Sequence, residues 1–298
     1  MNKDCVLIAT LPNINNIDQV HKVLADPEIS EARFNTGIST LMEADEVVEI
    51  LNKLSAQYSK RIWLDIKGRQ LRITRWADPQ YEAIELNHRI SVMYPAKIYF
   101  RNGGFRNIVR ASGNKIIVDL PPREAVGAGQ SVNIIAKDLE IEGYLTNLDK
   151  DYLAAAAKLG MTGVFASFTE KISDLGEIAE ILPGAEIVSK IESLKGIELI
   201  KKNNIGALMA ARDDLYLQSG QNYDMMEHLK IIIKNDTNAI CASGIFLSLE
   251  NSEKVSFADY SDLDHMYNLG YRRFMLCDNI CNYRFDEAIA AWKDFRNG

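Results

Sequence analysis

Eight short apolar runs rich in β-branched residues alternate along this chain with stretches of helical periodicity, and this alternation limits the chain to very few folds. The runs are VLIATLP (6–12), EARFNTG (31–37), RIWLDIK (61–67), GVFASF (163–168), EIVSKIE (186–192), IGALMAA (205–211), NAICASGI (238–245) and YRRFMLC (271–277). Amphipathic stretches follow them. The clearest runs from Thr40 to Tyr58, with Leu41, Val47, Val48, Leu51 and Leu54 at helical spacing. Repeated β/α alternation with short connections implies parallel strands covered by helices. Eight units, occupying about 225 residues once an intervening segment is set aside, fit a closed (β/α)8 TIM barrel. An open doubly wound sheet is the alternative, weakened because no glycine-rich phosphate fingerprint follows the first run.

The intervening segment, 73–143, breaks the rhythm. HRISVMY, AKIYFRN, NKIIVDL, SVNIIA and LEIEGYL are β-like runs separated by Gly, Asn or Pro, with no helix of convincing length. It reads as a small all-β insertion after the third strand, a lid over the C-terminal mouth of a barrel formed by 1–72 and 144–298. RNGGFRN (101–107) reads as a hairpin at the lid's tip, a solvated turn in preference to a phosphate contact.

The 298 residues are 47% hydrophobic and carry a net charge of −7, with no basic tract, which argues against a nucleic-acid-binding role. No stretch approaches transmembrane length, and MNKDCVLIATLP is too short in its apolar part for a signal peptide. A cytoplasmic protein with reduced thiols and no membrane partner is expected. Of the four cysteines, Cys5 and Cys241 lie in apolar runs, and Cys277 and Cys281 lack a nearby second Cys/His pair that would complete a metal site. His21, His88, His228 and His265 share no ligand spacing and are read as packing or surface residues.

Chemistry concentrates at the downstream ends of four runs, where polar residues stand at i and i+2: Arg33 and Asn35, Asp65 and Lys67, Lys190 and Glu192, Arg212 and Asp214. In a strand such pairs share a face. Barrel strand ends converge on one site, so Glu192 and Asp214 become candidate ligands for a hard divalent cation such as magnesium or manganese. Lys190 is placed to stabilise charge on a phosphoryl group or an enolate oxygen. Arg33, Asn35, Asp65 and Lys67 are candidates for a further cation site and for holding phosphate. Ordinary ion pairing at a barrel rim is the alternative for any single pair, less so for four together.

The chain resembles the pyruvate kinase family in the order and spacing of ARFNTG (32–37), LDIKGRQLR (64–72), LTNLDKD (145–151), ASF (166–168), SKIES (189–193), MAARDDL (209–215) and ICASGIFLSL (240–249). The resemblance implies a barrel with a mobile lid, shorter here than in the family, and no C-terminal regulatory domain after the eighth helix. It assigns Glu192 and Asp214 to the divalent metal and Lys190 to the transferring phosphoryl group and enolate. Arg33 and Arg72 match arginines of the active-site mouth, with a structural role as the alternative for Arg72. Asn35 and Asp65 match ligands of a monovalent cation, potassium, and Ser243 stands where the family has a threonine. Lys67 matches a site lysine with no role assigned.

Departures accompany the match. After Asn35 the family reads F-S-H-G where this chain has Thr36-Gly37, so the histidine and the serine of the potassium shell are gone, with Thr36 as a substitute hydroxyl in a shifted register; Ile66 replaces the threonine after Asp65, and the shell is expected to be incomplete. Asp213 replaces a glycine that lets backbone approach the substrate carboxylate. Leu247 replaces a glutamate, and the loop after strand eight reads Met275–Asn279. The expected function is magnesium-dependent phosphoryl transfer between phosphoenolpyruvate, or a related enol phosphate, and a nucleotide such as ADP. The alternatives are a metal-dependent lyase or enolisation enzyme on a 2-oxo acid, and a degenerate barrel that binds without turnover. The expected partner is a small anionic substrate, with a homo-oligomer possible.

Overall fold

The computed structural model describes residues 3–38, 40–101, 103–123 and 126–298. Eight parallel strands close into a barrel: Val6–Thr10, Ile29–Asn35, Arg61–Ile66, Gly163–Ala166, Glu186–Ile191, Ala207–Ala211, Ile240–Ala242 and Arg273–Leu276. Closure comes from the first and eighth, with Val6 opposite Arg273 and Ala9 opposite Leu276. The (β/α)8 barrel expected from the alternation is therefore present.

The strands read as continuous apolar runs because both of their faces are buried. Ile8, Trp63, Phe165, Val188, Met209 and Met275 fill the barrel interior, where Trp63 and Phe165 stack at 4.9 Å. The intervening positions, such as Leu7, Leu64, Leu208 and Phe274, face the surrounding helices and pack with Val20, Leu51 and Trp292.

Local signals set the helix boundaries. The helix expected from Thr40 starts at Ala44, because Glu43 and Glu46 form a reciprocal capping box there. Thr146 and Asp149 cap Asn147–Leu159 in the same way, and Gly160 ends it in the left-handed region at φ 74°. Asp149 is buried and also accepts the backbone N–H of Lys67 at 2.7 Å and of Gly68 at 3.1 Å. One helix cap thus fixes the backbone that leaves the third strand. Among the described residues no helix is long and apolar enough to cross a membrane.

Between the third and fourth barrel strands lies a five-stranded antiparallel sheet, in the spatial order Ile84–Glu85, Lys115–Val118, Gly104–Ser112, Ala96–Phe100 and Val132–Ile135. Ile90–Ser91 pairs separately with Glu140–Ile141. This lid has its own apolar centre, including Leu71, Leu86, Ile98, Phe100, Ile116 and Ile134. Gly104–Ser112 is a strand that run-reading does not single out, because Arg106, Asn107 and Arg110 interrupt its apolar pattern. The hairpin read at RNGGFRN joins Ala96–Phe100 to Gly104–Ser112, with Phe100 opposite Gly104. Its Asn102 lies outside the described residues.

Candidate functional site

The barrel mouth and the lid border a cleft of about 450 Å³, lined by Arg33, Asn35, Asp65, Lys67, Arg72, Lys190, Glu192, Asp214 and Ser243; of the strand-end pairs read from the sequence only Arg212 is missing from it. A larger cavity of about 800 Å³ lies between the last lid strand and Leu194–Lys202, with apolar walls such as Leu71, Val132 and Ile197. The convergent charges are in the smaller cleft, so the chemistry is placed there.

Lys190 is at its centre. Its Nζ lies 3.2 Å from Asp65 Oδ1 and 3.2 Å from Glu192 Oε1, and donates to Ser167 Oγ at 2.8 Å. Burial disfavours the ammonium, but Asp65 and Glu192 outweigh it and raise its pKa. Asp65 is fully buried, which by itself would raise its pKa. Arg33, Lys190 and Lys67 together hold it well below the usual carboxylate range. Ser167 donates to Asp65 Oδ1 at 3.1 Å.

Glu192 follows directly on its strand and accepts the Phe168 backbone N–H at 2.7 Å. Phe168 presents that amide from the left-handed region at φ 49°. Burial pushes the Glu192 carboxyl up to about 7, and the negative charges of Asp214 and Asp65 add to the shift. Asp214 accepts the Asn133 side-chain amide, from the lid, at 2.9 Å. Glu192 and Asp214 thus supply hard oxygens whose mutual repulsion a divalent cation would relieve, and this fits magnesium with water and substrate oxygens completing its shell. Among the described residues no group of three or more His, Cys, Asp or Glu forms a fuller metal cage.

One pairing needs correction. Arg212 and Asp214 are not on a strand, because that strand ends at Ala211 and a helix, Arg212–Gln218, begins at once. In a helix, i and i+2 do not share a face. Arg212 turns away to the Ser243 carbonyl at 2.6 Å and to Asp262 at 2.7 Å, while Asp214 alone faces the cleft. Among the described residues Arg72 pairs with no carboxylate. It donates to the Gly129 carbonyl at 2.6 Å and to Gln70 Oε1 at 2.9 Å, tying the lid to the end of the third strand. Ser243 stands in the cleft wall with φ 67°.

The most consequential residue that pattern reading leaves without a role is Asp278. It accepts Arg33 Nη1 at 2.8 Å and Asn35 Nδ2 at 2.9 Å. Burial would raise its pKa, but Arg33 and the Asn35 amide lower it. Ser167 and Asn133 are two more. Ser167 lies within ASF, and Asn133 is the lone amide in the apolar run SVNIIA. Cys281 is buried and Cys277 half-buried, and both are free thiols.

No family model matches the chain. It is similar to the pyruvate kinase of Borreliella burgdorferi, with 25% identity covering 91% of this chain and 62% of that protein. It is similar also to the pyruvate kinases of Agaricus bisporus, at 23% identity over 88% of this chain and 57% of the relative, and of Schizosaccharomyces pombe, at 22% over 88% and 59%. The chain therefore spans about three-fifths of the length of these curated relatives and is pyruvate-kinase-like along about nine-tenths of its own.

Proposed function

We propose that this pyruvate-kinase-like barrel is a magnesium-dependent phosphotransferase acting on phosphoenolpyruvate, or a related enol phosphate, with a nucleotide as the second substrate. The observation that carries the reading is the position of Lys190, whose ammonium lies between Asp65 and Glu192 at 3.2 Å from each, in the same cleft as Asp214. A buried cation held in place by three partners stabilises negative charge as it develops, without reorganising at that moment. Glu192 and Asp214 would hold the divalent ion, which would supply further positive charge to the substrate's oxygens. Arg33 is oriented by Asp65 and Asp278 and adds charge for a phosphate. Asn133 brings the lid down onto Asp214, limiting access of water to the transferring group.

A coupled assay with phosphoenolpyruvate, ADP and Mg²⁺ tests this reading. Turnover well above that of a Lys190→Met control is expected, and turnover no greater than the control's would overturn it.

A second reading is enolisation of a 2-oxo acid without a nucleotide. Lys190, Glu192 and Asp214 line one cleft, and a divalent metal held there beside a lysine would suffice to stabilise an enolate. Magnesium-dependent proton exchange into pyruvate that ADP does not change would support this second reading over the first.

A further inference from the structure

The resemblance calls for a potassium ion held by Asn35 and Asp65, and the donor atoms can be tested against one. A potassium ion leaves its water only where several oxygens together replace its hydration shell. Here those oxygens already accept from the protein's own cations. Asn35 Oδ1 receives Lys67 Nζ. Asp65 Oδ2 receives Arg33 Nε at 2.7 Å and lies 3.5 Å from Lys67 Nζ, while Oδ1 faces Lys190 and Ser167. The Asn35 amide nitrogen is turned to Asp278. Thr36, the nearest hydroxyl in sequence, donates to the Asp65 carbonyl at 2.8 Å. The residues present do not fit a potassium ion.

A Cβ added to Gly37 would lie 2.6 Å from Lys67 Cε and 3.1 Å from the Arg72 guanidinium carbon. The glycine at this position therefore leaves the Lys67 stem room to lie as it does, with its ammonium on Asn35.

We propose that the buried Lys67 ammonium, lying between Asn35 and Asp65, is the built-in monovalent cation of this site, which therefore takes up no potassium. Being tethered, Lys67 supplies its positive charge without a binding equilibrium, and its charge repels a second cation from the same two residues. The assignment stands on the donor atoms and is independent of which reaction the cleft performs.

The test uses the whole chain and no catalytic readout. Thallium(I), a spectroscopic stand-in for potassium, is titrated by thallium NMR, and thermal midpoints are compared in potassium and tetramethylammonium chloride at equal ionic strength. The wild-type protein is expected to show no saturable thallium binding and equal midpoints. Lys67→Met is expected to gain saturable thallium binding and a midpoint that rises with potassium. Gly37→Ser, which displaces the Lys67 stem and adds a hydroxyl, is expected to gain the same response should Lys67→Met fail to fold. Saturable binding to the wild type, or its absence from a folded variant of either kind, would overturn the proposal.

Discussion

Asn133, in the lid, donates its side-chain amide to Asp214, at the barrel mouth, over 2.9 Å. Asn133 Oδ1 is in turn approached by Gln218 Nε2 at 3.3 Å, so a short polar chain links the lid to the helix that carries Asp214. Asn133→Ala removes about 1 kcal/mol of hydrogen bonding and frees this edge of the lid. Amide exchange in Val132–Ile135 is expected to quicken while that of the barrel strands stays unchanged, as hydrogen-exchange mass spectrometry would show.

Lys190→Met leaves Asp65 and Glu192 buried with one cation fewer. Removing one partner of a buried ion pair costs about 3–5 kcal/mol, and the loss of a preorganised charge lowers turnover by roughly 10²–10³-fold. Urea denaturation and the coupled assay check the two effects separately. A variant that keeps both stability and turnover would remove Lys190 from the centre of the site.

Glu192 sets a pH dependence whose sign follows from its raised pKa. Between its ordinary value of 4.5 and about 7, the folded state binds a proton there that the unfolded state does not. Stability from this group is therefore fully present below 4.5 and is lost as pH rises through 7. A divalent cation competes with the same proton, so the rise in thermal midpoint caused by Mg²⁺ is expected to grow between about pH 6 and about pH 8. Glu192→Gln should abolish both trends in a thermal-shift series.

Arg69 separates structure from chemistry near the cleft. Its guanidinium makes a two-pronged pair with buried Asp174, through Nη1 to Oδ2 and through Nη2 to Oδ1 at 2.6 Å, and lies 5.0 Å from the Tyr144 ring centre. Asp174 also accepts the backbone N–H groups of Glu170 and Lys171, at 2.9 Å each. Arg69→Met is expected to cost about 3–5 kcal/mol in urea denaturation. The midpoint rise produced by Mg²⁺ should persist, because Arg69 lines the apolar cavity and not the charged cleft.

The barrel was legible in the chain because strand alternation and helical spacing are local patterns that hydrophobic burial writes into neighbouring residues. Lys190 with Glu192 and Asp65 with Lys67 were legible for the same reason, since each pair sits where a strand runs out. Arg212 and Asp214 do not share a face, because the strand stops at Ala211, where the apolar run ends, and the helix that begins at Arg212 turns the two side chains apart. The strand Gly104–Ser112 was missed because a lid open to solvent on one face tolerates Arg106 and Arg110 in its pattern.

What the sequence by itself determined was the order of the elements, the convergence of charged strand ends on one mouth and the likeness to pyruvate kinases. Only the tertiary structure decided which charge answers which. Arg33 and Asp278 are 245 positions apart, Lys190 and Asp65 are 125 apart, and Asn133 and Asp214 are 81 apart. No periodicity links such residues, because an ion pair depends on distance in space and on burial, which only barrel closure supplies. That closure places the Lys67 ammonium against Asn35, at the end of a different strand, as well as against Asp65 of its own motif.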